Sequence, residues 1–300
     1  MTNPIMVHPP YNFALTTEVA RFYSVLGRRH GSAYRRTLRV GDRLTLIEIS
    51  DAGTPEAPQL QARVLAGAVE QDALQQALAR MLNLHVDFTP FYEFARTDPI
   101  LWNTVQRLYG LHTFASDSMF EALVMCIIEQ QISLRMAHAA ERALLAWAGE
   151  SIDYEGETYY AFPTPERLAA ATVDDLKPMK ITFQRMARIL DIARNVAEGT
   201  LDLEGLRHLP PDEAYTTLRQ IKGVGHWTAI WTMIKGMGYY GNFGSADVGL
   251  RAAVNRYYFG QSGKAARDVV DSLLARYAPF DGFAAFHTLM RWALEMYPYL

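Results

Sequence analysis

The stretch IKGVGHWTA, residues 221–229, constrains the fold of this 300-residue chain more than any other segment. The amphipathic segment PPDEAYTTLRQI precedes it and predicts a helix, and a second helical pattern begins near His226. Gly223 and Gly225 permit positive φ angles and the close approach of another molecule. The sequence therefore predicts two helices joined by a tight turn.

A helix that starts directly after such a turn leaves backbone N–H groups without partners, and these groups form an anion site suited to a phosphate. The net charge of the chain is −3, but charge is unevenly distributed: residues 214–246 contain no acid, and they include Arg219, Lys222 and Lys235. A plain turn between helices remains the alternative. In residues 176–195 basic residues outnumber the single acid, Asp191, and either phosphate contacts or solvated helix faces would explain this.

Composition excludes several classes of protein. Half of the residues are hydrophobic and a fifth are charged, which predicts a folded core. Cys126 is the only cysteine, so an internal disulfide, a four-cysteine zinc site and an iron–sulfur cluster are excluded. A reducing, cytoplasmic location is expected, in association with the nucleoid if the source is bacterial. The sequence has neither a membrane-spanning apolar stretch nor a signal-peptide pattern, so no membrane partner is expected.

Residues 1–88 differ in pattern from the rest of the chain. The segment RRTLRVGDRLTLIEISD alternates and predicts two strands joined at Gly41 and Asp42. The segment QLQARVLAG predicts another strand, and EQDALQQALARMLNL predicts an amphipathic helix. The sequence therefore predicts a small N-terminal α/β domain with an antiparallel sheet.

Residues 89–300 predict a helical domain whose hairpin lies near residues 219–227, with a helical pattern almost to the end of the chain. Ser118 and Glu121 have the spacing of a capping box. The other predicted helix starts are Ser133, Thr164 with Pro165, Asp247, Lys264 and Asp281, and the predicted ends include Gly149 and Gly199.

Asp247 lies twenty residues after Trp227, in the segment GSADVGLRAAV. That distance accommodates one helix, a short irregular loop and the start of a new helix. An aspartate at a helix start is usually an N-cap, and this interpretation stays open beside a catalytic one.

In combination, LRQIKGVGHWTAIW and ADVGLRAAV resemble the helix-hairpin-helix (HhH-GPD) DNA glycosylase superfamily, in its 3-methyladenine DNA glycosylase II branch. The segment IIEQQISLRMAHA is similar to the part of that family that inserts into the DNA stack. The segment FPTPERLAAATVDDLKPMKITFQRMARILDIARNVAEGTLDL resembles its middle lobe, and PPYNF and YRRTLRVGDRL resemble its N-terminal sheet domain. The resemblance implies a mostly α fold, with a helical core of two lobes after the small α/β domain.

The resemblance further implies a base excision repair enzyme that flips an alkylated purine, such as 3-methyladenine or 7-methylguanine, out of double-stranded DNA and hydrolyses its glycosidic bond. Asp247 matches the catalytic aspartate, which would stabilise an oxocarbenium-like sugar and assist water. A cationic alkylpurine is already an activated leaving group, so one carboxylate is enough where ordinary glycoside hydrolysis uses two. The protein is expected to act as a monomer.

Trp227 and Trp231 match the base pocket, where aromatic faces would attract a positively charged purine. Tryptophans four residues apart on a helix are also typical of a core. Gln130 is assigned to the pocket, and Gln131 to the wedge that fills the gap left by the flipped base; the branch usually has leucine there, and an ordinary polar helix end is the alternative. Members that also cut the strand carry a lysine at the position of Trp227, so base release without strand cleavage is expected.

The resemblance assigns the remaining contacts to the hairpin. The DNA-contacting residues would be Lys222, Gly223, Gly225, His226 and Thr228. A monovalent cation, Na⁺ or K⁺, would be held by the backbone carbonyls of Arg219, Ile221 and Val224, and no other cofactor is required.

Two positions depart from the family pattern. Leu289 stands where the family places a tryptophan, with Trp292 nearly a turn later, so either residue would form the far wall of the pocket. Glu129 stands beside the wedge, where the best-known member of the family has glycine, and the sequence predicts no role for it. Three alternative functions stay open: a glycosylase for another lesion, a non-catalytic DNA-binding module, and an unrelated helical protein.

Overall fold

The structure is a computed structural model that describes residues 2–298, with side chains from residue 4 onward. Within this range the chain is mostly helical, with two antiparallel sheets. The strands are β1 (Thr2–Ile5), β2 (Arg28–His30), β3 (Ala33–Val40), β4 (Arg43–Asp51), β5 (Leu60–Ala66), β6 (Ser151–Tyr154) and β7 (Glu157–Tyr160).

Apart from one helix between β1 and β2, the α-helices of the described residues follow the N-terminal sheet in the chain. They are α1 (Phe13–Ala20), α2 (Gln71–Met81), α3 (Thr89–Ala95), α4 (Pro99–Val105), α5 (Met119–Glu129), α6 (Leu134–Ala148), α7 (Pro165–Ala169), α8 (Phe183–Ala197), α9 (Pro211–Gln220), α10 (His226–Met237), α11 (Val248–Phe259), α12 (Arg267–Ala275) and α13 (Asp281–Met296).

The N-terminal sheet has the strand order β1-β5-β4-β3-β2, with every neighbouring pair antiparallel. The predicted hairpin is confirmed: β3 and β4 are joined at Gly41, whose φ is 59°. Leu38, Ile47 and Ile49 are buried and belong to one hydrophobic core that continues into the helices. The sheet is therefore packed onto the helical region rather than separated from it by solvent.

The hairpin β6–β7 was not predicted, and the expectation of a helical pattern through this part of the chain was wrong. The chain turns at Glu155 and Gly156, whose φ angles are 51° and 79°. The hairpin packs on the N-terminal sheet, because Thr37 Oγ1 donates to the Tyr160 carbonyl and Arg35 Nη1 bonds to Glu155 Oε2 at 2.9 Å. The alternation of SIDYEGETYY around Glu-Gly was a signal for it.

Helix α5 is buried along nearly its whole length and determines where the site residues lie. Ser118 caps it as predicted, accepting a hydrogen bond from the Glu121 N–H at 3.0 Å. The Glu121 carboxylate instead accepts from Arg36 at 2.9 Å, so the capping box is only half formed. Helix α10 packs against α5, and a Cβ added at Gly236 would lie 2.3 Å from Met119 Sδ. This contact joins the start of α5 to the end of α10, and Gln130, directly after α5, contacts Thr228 in the first turn of α10.

The other predicted helix starts hold, with one displacement. Ser133, Thr164 and Asp247 each accept a hydrogen bond from the first turn of the helix that they precede. Helix α12 begins at Arg267 rather than at Lys264. In the described part of the chain, no helix combines the length and apolar character needed to cross a bilayer.

Candidate active site

The turn between α9 and α10 has the predicted helix-hairpin-helix form. The Val224 N–H donates to the Ile221 carbonyl at 3.0 Å, and Gly223 has a φ of 85°. A Cβ added at Gly223 would lie 2.0 Å from the guanidinium carbon of Arg188, on α8. The positive φ therefore favours glycine at this position, and the Arg188 guanidinium occupies the space that a side chain would take.

The start of α10 is open. Gly225 is its N-cap residue, and no side chain among the described residues caps the helix. A Cβ added at Gly225 would meet no atom within 4 Å. Because the first N–H groups of a helix carry a partial positive charge, this end of α10 is suited to an anion. Lys222, in the turn, is exposed beside it.

Two of the hairpin side chains assigned to DNA have protein partners. The His226 ring lies 2.9 Å from the Tyr215 hydroxyl through Nδ1 and 3.0 Å from the Asn242 carbonyl through Nε2. The Thr228 side chain is buried, and its hydroxyl accepts a hydrogen bond from Gln130. In this conformation, Thr228 presents only its backbone to the open end of the helix.

The residues whose carbonyls are assigned to a monovalent cation lie at the end of α9, for Arg219, and in the turn, for Ile221 and Val224. The Ile221 carbonyl already accepts the Val224 N–H, and its second lone pair remains. Arg219 is exposed, and its Nη1 donates to the Tyr215 hydroxyl at 3.2 Å. Carbonyl oxygens are suitable ligands for a hard cation.

Gln130 joins the end of α5 to the hairpin. Its Nε2 donates to the Gly223 carbonyl at 3.1 Å and to Thr228 Oγ1 at 3.0 Å, and its Oε1 accepts from Arg188 at 3.4 Å. Gln131 follows it with a φ of 53° and is exposed. The two glutamines therefore differ in their environment: Gln130 is held by three contacts, and Gln131 projects into solvent.

Sequence reasoning did not single out Arg188. Arg188 was one of several basic residues in positions 176–195. Two interpretations of these residues were possible, phosphate contacts or a solvated helix face. The structure places the Arg188 guanidinium on Gly223 and on the Gln130 amide. Other basic residues of this segment are paired locally: Lys177 with Asp174 at 2.9 Å and Arg194 with Asp191 at 3.3 Å.

Asp247 is the N-cap residue of α11, and both of its carboxylate oxygens accept hydrogen bonds. The Leu250 N–H donates to Oδ1 at 2.8 Å, and Trp227 Nε1 donates to Oδ2 at 2.9 Å. The residue is half-buried. Burial raises the pKa of Asp247 above its usual value, while the N–H donors of Trp227 and Leu250 oppose that rise. The arrangement is a carboxylate that is largely removed from water and held only by neutral donors.

Trp227 and Trp231 lie beside this carboxylate in different environments. Trp227 is half-buried and uses its N–H on Asp247. Trp231 is only 5% exposed, and its ring packs 4.9 Å from that of Phe243 and 6.1 Å from that of Trp227. The Trp231 N–H has no hydrogen-bond partner among the described residues, although it lies near enough to Asp247 to help lower the pKa of that carboxyl.

The opposite side of the carboxylate is formed by α13. A Cβ added at Gly249 would lie 2.9 Å from Leu289, 3.1 Å from Trp292 and 3.2 Å from Asp247 Oδ1. Leu289 and Trp292 therefore both reach the site, so both residues are placed to form the far wall of the pocket. The absence of a side chain at Gly249 leaves room between α11 and α13.

Glu129 and Lys235 form a buried ion pair next to the site. Lys235 Nζ donates to Glu129 Oε1, and also to the Tyr23 carbonyl at 3.3 Å. Burial alone would lower the pKa of Lys235, but its neighbours, chiefly the Glu129 carboxylate, together outweigh burial and the pKa is raised. Lys235 thus contributes no exposed charge to the hairpin, although the sequence suggested that it did. Lys235 follows Trp227 by two helical turns, and this spacing in the sequence predicts that the two side chains share one helix face.

Comparisons with known proteins agree with this arrangement. A family model described as HhH-GPD superfamily base excision DNA repair protein matches residues 124–279, about half of the chain. The matched residues include the end of α5, the hairpin and Asp247.

Several known proteins are similar to the chain, among them two curated relatives and one solved structure. The Bacillus subtilis (strain 168) protein named DNA-3-methyladenine glycosylase is 33% identical over 181 residues, which are 60% of this chain and 60% of that protein. Escherichia coli (strain K12) DNA-3-methyladenine glycosylase 2 is 28% identical over 236 residues, 76% of this chain and 78% of that one. The 3-methyladenine DNA glycosylase of Archaeoglobus fulgidus shares the fold, with a TM-score of 0.80 over 100% of both chains at 23% identity. The chain thus spans 60% of the length of the B. subtilis relative.

Proposed function

The chain belongs to the HhH-GPD superfamily of base excision DNA repair proteins, and from that premise we propose that it is a monofunctional DNA glycosylase for alkylated purines. Its substrate would be double-stranded DNA that contains a base such as 3-methyladenine or 7-methylguanine. The names of its B. subtilis and E. coli relatives support this choice of lesion.

The observation that carries the proposal is the environment of Asp247. Its carboxylate is held by the Trp227 N–H and the Leu250 N–H at the positive end of α11. These donors stabilise the anion without cancelling its charge. A preorganised negative charge outside bulk water is suited to stabilise the positive charge that develops on the sugar as the base departs. The same carboxylate assists the attacking water.

The surrounding elements supply the other steps. The open start of α10, with Lys222 beside it, grips a phosphate of the backbone. The target nucleotide is flipped out, because the glycosidic bond cannot be reached inside a duplex. The exposed Gln131 enters the gap, and Gln130 holds the wedge against the hairpin. The carbonyls of Arg219, Ile221 and Val224 would hold a monovalent cation that supports the turn.

The absence of lyase chemistry follows from the lysine positions in the described site. Trp227 occupies the position from which a lysine would attack the sugar, and tryptophan cannot form a Schiff base. Lys235 lies on the same helix face, but its ammonium is engaged by Glu129 and by the Tyr23 carbonyl. An ammonium held in this way has no free electron pair for attack.

The deciding experiment incubates the full chain with methylated duplex DNA and identifies the released bases. We expect 3-methyladenine and 7-methylguanine in solution, intact strands that break only after alkali, and no covalent adduct on borohydride treatment. If neither base is released, the assignment as an alkylpurine glycosylase is rejected. A DNA-binding module and a glycosylase for another lesion would then remain as alternatives. A trapped adduct would reject only the monofunctional assignment.

A further inference from the structure

Lys235, which pairs with Glu129 of α5, lies on the same face of α10 as the two tryptophans of the proposed pocket. Trp227, Trp231 and Lys235 are spaced by four residues and therefore form one stripe on this helix. Asp247 contacts the first residue of the stripe, and Glu129 contacts the last. Trp231 is the middle residue of the stripe, one helical turn from each of the two residues that these carboxylates contact.

The pair is oriented with its negative end outward. The Lys235 side chain is 3% exposed and also donates to the Tyr23 carbonyl, whereas the Glu129 side chain is 12% exposed. Glu129 Oε1 accepts the ammonium, and Oε2 accepts no hydrogen bond from the residues that the structure describes. The lysine thus lies behind the carboxylate, and one carboxylate oxygen is left for a ligand.

Glu129 adjoins residues of the proposed pocket, because its partner Lys235 lies one turn after Trp231 on α10. Glu129 directly precedes Gln130, whose amide contacts the hairpin. The charge of Asp247 is among the influences that raise the pKa of Glu129, so the two carboxylates are close enough to repel each other. A second negative charge near the first requires an explanation beyond the packing of α5.

Other titratable groups near Lys235 do not replace Glu129. Glu141 is buried, and burial raises its pKa well above the usual value, which favours the neutral form. Burial lowers the pKa of His138 to about 4, so its ring is also neutral at neutral pH. Glu129 is therefore the ionised partner that orients Lys235, and its charge is the one presented outward.

We propose that Glu129, positioned by Lys235, is a specificity-determining residue of the base pocket that places negative charge against a positively charged flipped purine. The inference rests on the proposed glycosylase function. A charge acts more strongly in a site that excludes water than in bulk solvent, so a cationic base gains from this carboxylate and a neutral base does not. Trp231 would stack against the base while Glu129 selects for its charge.

The test replaces the pair by uncharged side chains of similar size, Glu129→Gln with Lys235→Met. Because both charges are removed together, no unpaired ion remains in the interior. Single-turnover release of 7-methylguanine should fall about tenfold, as expected for one charge interaction in a partly desolvated site. Affinity for a duplex with an abasic-site analogue, which places no base in the pocket, should stay within about twofold. Release of neutral hypoxanthine, where the wild type shows it, should fall less.

Two controls separate charge selection from support of the fold. Glu121→Gln with Arg36→Met removes another buried ion pair of α5, two turns before Glu129, together with the contact of Arg36 to the more exposed Asp117. It should leave 7-methylguanine release unchanged in the folded fraction. Glu129→Asp keeps the charge and should retain most of the release. If melting shows that the double variant is unfolded, Glu129→Gln alone serves, because the glutamine oxygen can still accept from Lys235.

The outcomes also separate this inference from the proposed function. A wild-type protein that releases no methylated base rejects the glycosylase itself. A wild type that does release 7-methylguanine, together with a double variant within about twofold of its rate, rejects the role of Glu129. Equal losses of base release and of abasic-duplex affinity would show that the pair only supports the architecture.

Discussion

The end of α5 and the start of α11 each place a carboxylate beside α10, and they stabilise it in opposite ways. Asp247 lies at the N-terminus of α11, where the helix dipole favours an anion, and accepts two neutral N–H groups. Glu129 is the last residue of α5, where the dipole disfavours an anion, and it is paired with Lys235. Burial raises the pKa of both carboxyl groups, and different partners oppose that rise.

The difference shows how one pocket can hold two carboxylates with separate roles. Neutral donors leave the full negative charge of Asp247 in place, so it can respond to a cation that forms on the sugar. For groups far from the pair, the positive charge of Lys235 cancels most of the negative charge of Glu129. Groups close to the pair experience a local dipole. We therefore expect the chemistry to depend on Asp247, and base selection and folding to depend on the pair.

The strongest test of this comparison is Asp247→Asn. Asparagine caps a helix about as well as aspartate and keeps its size, but it has no charge. Base release should fall by roughly 10²–10⁴-fold, the range of a lost general base, with charge stabilisation adding to the loss. The measurement is single-turnover release of 7-methylguanine, with duplex affinity and melting temperature as controls. Near-wild-type release would leave Asp247 as a helix cap only.

The second test removes the lysine alone. Lys235→Met leaves Glu129 without its cation in a buried site, and breaking a buried pair in this way costs about 3 kcal/mol of unfolding free energy. Denaturant unfolding measures the change. Lys222→Met is the matched control, because Lys222 is exposed, and it should change stability by less than about 0.5 kcal/mol. Equal stabilities for the two variants would contradict the assignment of Lys235 as the partner of a buried anion.

The third test weakens the neutral support of Asp247. Trp227→Phe keeps an aromatic ring but removes the N–H that donates to Oδ2. A hydrogen bond to a charged group contributes about 1.5–3 kcal/mol, so release should fall roughly tenfold or more, by less than in Asp247→Asn. Rates on 7-methylguanine duplexes measure this. A loss as large as that of Asp247→Asn would indicate that the indole has a role besides the hydrogen bond.

The finest test uses pH to detect the repulsion between the two carboxylates. The pKa of Asp247 is raised in the folded protein, so release of a cationic base should be complete above that pKa and be lost as pH falls through it. Because repulsion between charges is mutual, Glu129→Gln should lower the pKa of Asp247 and move this acid limb to lower pH. A limb that stays in place or moves to higher pH would show that the carboxylates do not interact.

Much of the local structure could be predicted from the sequence. The strands around Gly41, the caps at Ser118 and Ser133 and the hairpin at Gly223 all depend on residues within a few positions of one another. Such features follow from side-chain period, cap chemistry and glycine conformation. The position of Asp247 as the N-cap of α11 was equally local, whereas its hydrogen bond to Trp227, twenty positions away, was not predicted.

The contacts that distinguish the site lie far apart in the chain. Gln130 reaches Gly223 across 93 positions, Glu129 reaches Lys235 across 106, and Arg188 reaches Gln130 across 58. No local pattern encodes these pairs, and Lys235 in particular looked like one more exposed cation. The sequence alone determined most of the elements, the turn and the candidate aspartate, because helix, cap and turn conformations depend on residues a few positions apart. The tertiary structure decided which charges are buried and which carboxylate is paired, because desolvation depends on everything that packs around a group.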